Sequence, residues 1–212
     1  SFMDRNSRKK HWENIYQTKS LKDVSWYQPT PQTSLDFIQW LQVPLHARII
    51  DVGGGDSLLV DHLLERGYQN LTVLDISEAA IEKAQQRLGS RADQVKWIVA
   101  DAANFVPVVK YDLWHDRATF HFLTEEREIS GYLETAQQNM VPGGYMIMGT
   151  FSEQGPEKCS GITIRQYSEE NLTARLNSMF EKIKCIYVDH QTPSKTLQNF
   201  VFCSFRKPRI AA

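Results

Sequence analysis

The sequence predicts an open α/β sandwich, a mostly parallel sheet with helices on both faces. Short β-rich runs alternate with stretches of helical period from Arg48 to Thr150, the pattern of βαβ crossovers. The last two β-rich runs are joined by the short polar link Asp189 to Lys195, which allows a hairpin and forbids a parallel crossover. A chain of 212 residues with 42% hydrophobic content is enough for one buried core.

Each element has its own signal. Leu35, Ile38 and Leu41, with Phe37 and Trp40 beside them, recur at helical spacing over Thr33 to Leu41, and Pro44 ends that helix. Ile49 to Val52 is the first strand and breaks at Gly53-Gly54-Gly55. Leu59, Leu63 and Leu64 follow with helical period up to Gly67, a natural C-terminal cap. Leu71 to Leu74 is the second strand, and Ser77 caps a helix whose inner face is Ala80, Ile81, Ala84 and Leu88. Val95 to Ala100 and Tyr111 to Trp114 are the third and fourth strands. A helix over Glu126 to Met140 leads through a tight turn at Pro142-Gly143-Gly144 into the fifth strand, Tyr145 to Thr150. After a helix over Ser168 to Phe180, Ile183 to Val188 and Leu197 to Phe205 form the closing hairpin, one strand of which runs antiparallel to the rest. The run Arg206-Lys207-Pro208-Arg209 reads as a solvated tail.

Composition excludes several classes of function. Lys plus Arg is 24 against 25 for Asp plus Glu, so no overall field draws the chain to nucleic acid or to anionic lipid. Cys159, Cys185 and Cys203 are an odd, widely spaced set, which argues against a disulfide framework or a thiolate zinc site and for a reducing, cytoplasmic setting. No apolar run is long enough to span a bilayer, and Arg8-Lys9-Lys10 leads into Trp12-Glu13 in place of an apolar leader core. Ser1-Phe2 ahead of Met3 reads as an added dipeptide. Residues 3–30 are polar yet carry Trp12, Tyr16, Trp26 and Tyr27. Those rings are expected to pack on the main domain as a lid that excludes water from a site.

Ligands of open α/β sheets sit at the carboxyl ends of strands, and four features fall there. Asp51-Val52-Gly53-Gly54-Gly55 joins the first strand to its helix, where glycines let a ligand approach the backbone. Asp75 ends the second strand, where a carboxylate can accept both hydroxyls of a ribose, and Ile76 follows it. Asp101-Ala102 follows the third strand and could read an adenine edge. Asp116-Arg117-Ala118 follows the fourth strand at the mouth of the site; the pair reads either as site groups or as an ion pair bracing the loop. His121 is a candidate base or a packed histidine. A nicotinamide dinucleotide site would also carry a glycine turn and a downstream acid, but Leu58 stands where the third glycine of G-x-G-x-x-G belongs. No strong cluster of metal ligands is present.

These motifs, in this order and at this spacing over Arg48 to Phe205, resemble the class I S-adenosylmethionine-dependent methyltransferases. The resemblance implies a Rossmann-like three-layer sandwich whose seven-stranded sheet has order 3-2-1-4-5-7-6, with strand 7 antiparallel. It implies S-adenosylmethionine as cofactor, S-adenosylhomocysteine as product, and no metal. It divides the chain into an N-terminal helical cap or lid, 1–45, and a methyltransferase domain, 46–212. Cofactor binding falls to Trp26, Asp51, Gly53, Gly54, Gly55, Asp75, Ile76, Asp101, Ala102 and Asp116. Asp116, Arg117 and His121 become the candidate catalytic groups, and Trp12, Tyr16, Tyr27, Phe120 and Phe151 the acceptor wall.

Within the class, Trp12-Glu13-Asn14-Ile15-Tyr16 and Val24-Ser25-Trp26-Tyr27 are similar to small thiopurine-type and protein-lysine methyltransferases. The lysine enzymes typically show D-K-G-T-x-D after the fourth strand. Here Asp116-Arg117-Ala118-Thr119-Phe120-His121 lacks the glycine and the second acid. The expectation is transfer of a methyl group to a small-molecule or protein acceptor, the former favoured, by a monomer or weak dimer with no nucleic-acid or membrane partner.

Overall fold

Side chains alternate across the first strand, β1 (Arg48–Val52), and that alternation sets out the molecule. Ile49 enters one apolar cluster, while Ile50 and Val52 enter a second on the other face of the sheet. The computed structural model describes residues 4–106 and 108–209, so Ser1-Phe2 and Met3 lie outside the described residues.

Beside β1 lie β2 (Asn70–Asp75) and β4 (Tyr111–Arg117), both parallel to it. Next come β3 (Val95–Val99) outside β2 and β5 (Met140–Phe151) outside β4. The hairpin β8 (Glu181–Gln191) and β9 (Leu197–Arg206) completes the sheet, with β9 antiparallel to β5. The sheet is seven-stranded, in order β3-β2-β1-β4-β5-β9-β8. Two very short strands, β6 (Lys158–Cys159) and β7 (Ile162–Thr163), pair only with each other. Counted within the main sheet, β8 and β9 are the sixth and seventh strands, so the expected order and the antiparallel seventh strand are found.

One face is covered by α2 (Gln32–Trp40), α3 (Leu59–Glu65) and α4 (Glu78–Leu88), through Leu35, Ile38, Leu59, Leu63 and Ile81. The other carries α5 (Glu126–Gln138) and α6 (Glu169–Leu176), through Ile129, Tyr132, Leu133, Leu172 and Leu176. Each fully buried Leu or Ile contributes roughly 1.5–3 kcal/mol relative to exposure. Ser77 caps α4 as expected, its hydroxyl accepting the Ala80 N–H at 3.1 Å. Ahead of all this lies α1 (Arg5–Thr18), which packs Trp12, Ile15 and Tyr16 against Val24, Ala80 and Ile162 in a third cluster.

Four expectations need correction. The helix expected to reach Met140 ends at Gln138, because the backbone from Met140 already pairs with Tyr111 and the glycine turn is absorbed into β5. The helix expected over Ser168 to Phe180 is only α6, with Ser168 as its cap. The basic run after Phe205 is not a solvated tail: Lys207 Nζ donates to the carbonyls of Gln137 and Met140, at 2.5 and 2.9 Å, and Arg206 lies over the Tyr145 ring. A disulfide is also present, between Cys185 and Cys203, which face each other across β8 and β9. Cysteines far apart in sequence can be cross-strand neighbours, which spacing alone does not reveal.

Candidate active site

At the carboxyl ends of β1, β2, β3 and β4 lies a cavity floored by the sheet and roofed by the N-terminal segment. The glycine turn forms its lower lip. Gly53 has φ +73, a conformation that L side chains rarely adopt, and a Cβ there would meet Thr119 Oγ1 at 1.8 Å. At Gly54 a Cβ would lie 2.2 Å from Asp51 Oδ2. Both positions therefore bring bare backbone against neighbours that any side chain would displace.

Asp51 sits just under that turn and is buried. Its Oδ1 is 2.9 Å from His115 Nδ1, and His115 Nε2 is 2.8 Å from Ser34 Oγ. Asp51 Oδ2 has no hydrogen-bond partner. A buried carboxylate oxygen left unpaired is costly, and here it is a ready acceptor for a ligand cation or N–H.

Asp75, at the end of β2, accepts the Gly55 N–H on Oδ2 at 3.0 Å and the Ser77 N–H on Oδ1 at 2.9 Å. Burial, then the nearby Asp56 carboxylate, push its pKa up to about 7. Asp101 is buried after β3, its Oδ1 accepting the Ala103 N–H at 2.9 Å and its Oδ2 held by Arg8 at the same distance. Arg8 also donates to Glu128 at 2.5 Å, so α1 is tied to both the third strand end and α5.

The roof is aromatic. Trp26 meets Trp12 and Tyr16 edge-on at ring distances of 5.5 and 6.3 Å, and Trp12 meets Phe122 at 5.0 Å. Trp26 Nε1 donates to Asp56, whose carboxylate Tyr16 also faces, and burial raises the pKa of Asp56. Cys159, carried in by the β6–β7 hairpin, closes one side as a thiol whose pKa burial raises to about 11.

Many of the expected site residues come together on this wall: Trp12, Tyr16, Trp26, Asp51, Gly53, Gly54, Asp75, Ile76, Asp101, Ala102, Arg117 and Phe151 line it. Five do not. Asp116 points to the other face of the sheet, where it accepts N–H groups of Thr119 and Phe120 and the Tyr132 hydroxyl, and burial raises its pKa to about 6. It shapes the loop after β4 from behind and forms no ion pair with Arg117. His121 is buried behind Phe151, whose backbone N–H donates to its Nδ1 at 3.0 Å; burial lowers its pKa to about 3. Phe120 packs between Tyr132 and Tyr167. Tyr27 packs against the cluster of α1, and Gly55 turns its N–H back to Asp75.

Sequence reasoning missed His115, Asp56, Cys159, Thr119 and Phe200, all on the wall. For His115 the signal was strand alternation: it lies directly opposite Asp51 in the β1–β4 register, on the same face, whereas Asp116 pairs with Val52. The loop after β4 is also strained, with Ala118 at φ +69 between Arg117 and Thr119. Among the described residues, no group of three or more His, Cys, Asp or Glu side chains is placed to hold a metal ion, and no helix is long and apolar enough to cross a membrane.

Residues 50–146 match the family model of a methyltransferase domain. Over that span the chain is similar to the class I S-adenosylmethionine-dependent methyltransferases. S-adenosylmethionine is the cofactor of that class, and the cradle fits it: an unpaired Asp51 oxygen for a cation, backbone exposed at Gly53 and Gly54, and a carboxylate at the end of β2. Malonyl-[acyl-carrier protein] O-methyltransferase 2 of Ilyobacter polytropus is 27% identical over 106 residues, 50% of this chain and 39% of that protein. The EEF1A lysine methyltransferase 2 of Danio rerio is 26% identical over 157 residues, 66% of each chain. The first curated relatives are matched over only 17% to 39% of their own length. Among solved structures, one from work on the conversion of a disulfide bond into a thioacetal group during echinomycin biosynthesis superposes with a TM-score of 0.78. It is 18% identical, over 96% of this chain and 94% of that one. The 1,6-didemethyltoxoflavin-N1-methyltransferase of Burkholderia thailandensis gives 0.72 at 16% identity, over 98% and 92%. At such identities the structural likeness speaks for the methyltransferase fold.

Proposed function

We propose that this methyltransferase domain moves the methyl group of S-adenosylmethionine to a small-molecule acceptor enclosed beneath the N-terminal roof. The observation that carries the reading is the buried, unpartnered Asp51 Oδ2 under a glycine turn that no side chain could occupy. When bound, the cofactor supplies an electrophilic methyl on sulfur; the acceptor heteroatom forms the new bond to carbon as the carbon–sulfur bond breaks, leaving the thioether S-adenosylhomocysteine.

The residues of this chain hold and shield. Asp75 accepts the ribose hydroxyls, and Asp51 receives the ammonium of the amino-acid end. Trp12, Tyr16 and Trp26 exclude water and offer aromatic faces to the sulfonium. Holding acceptor and methyl in line supplies most of the rate, since the leaving group is already good. The closed aromatic roof supports a small acceptor over a protein side chain. A monomer or weak dimer belongs to the same proposal.

Incubation with methyl-labelled S-adenosylmethionine and a cell lysate, then separated into protein and small molecules, tests it. Label in the small-molecule fraction is expected. Label in protein would move the acceptor to a side chain, and saturable NADH binding with no S-adenosylmethionine binding would replace the methyltransferase by a nicotinamide reductase.

A further inference from the structure

Arg117 ends β4, and its guanidinium lies 4.6 Å from the centre of the Phe200 ring. One nitrogen, Nη1, donates to the Trp26 carbonyl at 3.2 Å. The other two, Nε and Nη2, are shielded from solvent and have no hydrogen-bond partner. Among the described residues no carboxylate lies within ion-pair distance of it. The acids on the same wall hold other groups: Asp51 Oδ1 faces His115 while its Oδ2 is unpartnered, Asp56 accepts from Trp26, and Asp75 accepts from two backbone N–H groups. Burial has lowered the Arg117 pKa only to about 10, so the group stays a cation at neutral pH.

A planar cation with two adjacent N–H groups unpaired matches a planar oxyanion, bonded through both. Asp56 and Asp51 stabilise the cation electrostatically from the cradle side without pairing with it, and two histidines flank it. His121 and His190 are held neutral by burial and by Arg117 itself. The Phe151 N–H donates to His121 Nδ1, which places the ring proton on Nε2, a further donor without a partner. The position in the sheet separates this corner from the cofactor cradle. Gly53, Asp75 and Asp101 follow β1, β2 and β3, whereas Arg117 lies beside Gly149 of β5 and under Phe200 of β9, on the opposite side of β1.

Resting on the proposed methyl transfer, we propose that the acceptor is an organic acid whose carboxylate is anchored by Arg117 Nε and Nη2, with its apolar body against Phe151 and Phe200. Arg117 is then the residue that selects an anionic acceptor over a neutral one of the same shape.

Calorimetric titration of benzoate and hexanoate into the protein saturated with S-adenosylhomocysteine tests this, with benzamide and hexanamide as neutral controls. The acids are expected to bind about tenfold or more tightly than the amides. Arg117→Gln should abolish that preference and lower S-adenosylhomocysteine affinity by less than it lowers acid affinity, because Trp26 loses one hydrogen bond, and Arg117→Lys should keep part of the preference. Equal binding of acids and amides to the unmodified protein, or binding of neither acid, overturns the proposal without any variant. An equal loss of S-adenosylhomocysteine affinity in Arg117→Gln would instead assign the guanidinium to the cofactor's own carboxylate. Failure of the unmodified protein to bind S-adenosylhomocysteine would overturn the methyl-transfer reading itself, and this proposal with it.

Discussion

His115 Nδ1 lies 2.9 Å from Asp51 Oδ1, directly across the β1–β4 register and under the glycine turn. The second ring nitrogen reaches Ser34 on α2, so one buried histidine joins two strands and a helix behind the cofactor cradle. Removing it strips Asp51 of its only side-chain partner among the described residues. His115→Ala should destabilise the fold by roughly 1.5–3 kcal/mol, the range for hydrogen bonds to charged groups, and weaken S-adenosylhomocysteine binding because Asp51 loses its aim. Urea denaturation and calorimetry read the two effects; an unchanged denaturation midpoint would show that the contact contributes nothing.

Gly53 and Thr119 couple β1 to the loop after β4. A Cβ at Gly53 would overlap Thr119 Oγ1, and the positive φ adds about 1–2 kcal/mol for any L residue. Gly53→Ala should therefore abolish measurable cofactor binding and lower stability. Thr119→Ala removes the overlapping hydroxyl, so the double variant should be less unstable than the sum of the singles by about 0.5–3 kcal/mol. Strict additivity in a double-mutant cycle would mean that the two residues do not meet in solution.

The strand positions, the glycine turn and the acids ending β2 and β3 were legible because each depends on local sequence: a β-rich run, its breaker and the next residue; the strand order came from the family resemblance. The division of labour after β4 was not. Asp116 and Arg117 are adjacent, and strand alternation sends one to α5 and the other to the cavity. Choosing between them requires the register of β1 against β4, a relation between distant segments. Cys159, Phe200 and the Cys185–Cys203 bridge are hidden for the same reason, as is Arg8, whose partners Asp101 and Glu128 are remote in sequence.

Asp75 makes cofactor binding depend on pH. Its pKa in the folded protein, about 7, is raised by burial and by the Asp56 charge above the ordinary 3.8. Between those values the folded state holds a proton that the unfolded state has lost, so this group's contribution to stability falls as pH rises from about 4 to about 7. Ribose hydroxyls donate to the ionised form, so binding should strengthen over the upper part of that window and release protons. Calorimetry near pH 6.5 in buffers of different ionisation enthalpy should show proton release that vanishes in Asp75→Asn. Proton uptake, or no linkage at all, would refute the ribose assignment.

Arg8 ties the roof to the third strand end and to α5. Its guanidinium donates 2.9 Å to Asp101 and 2.5 Å to Glu128, and both the Arg8 and Asp101 side chains are less than a tenth exposed. Substitution by alanine leaves two carboxylates facing each other without their cation, a local cost of roughly 1–3 kcal/mol. The cost should fall on α1, which is otherwise held by the apolar cluster of Trp12, Ile15 and Tyr16 and by the contacts of Lys9 with Ile76 and of Glu13 with Ala79. Arg8→Ala should thus speed amide hydrogen exchange across Arg5–Thr18 while the protection of β1 and β4 is kept, and should weaken S-adenosylhomocysteine binding in step. Unchanged protection of that helix would mean that the aromatic cluster and the Lys9 and Glu13 contacts close the site without the ion pairs to the third strand end.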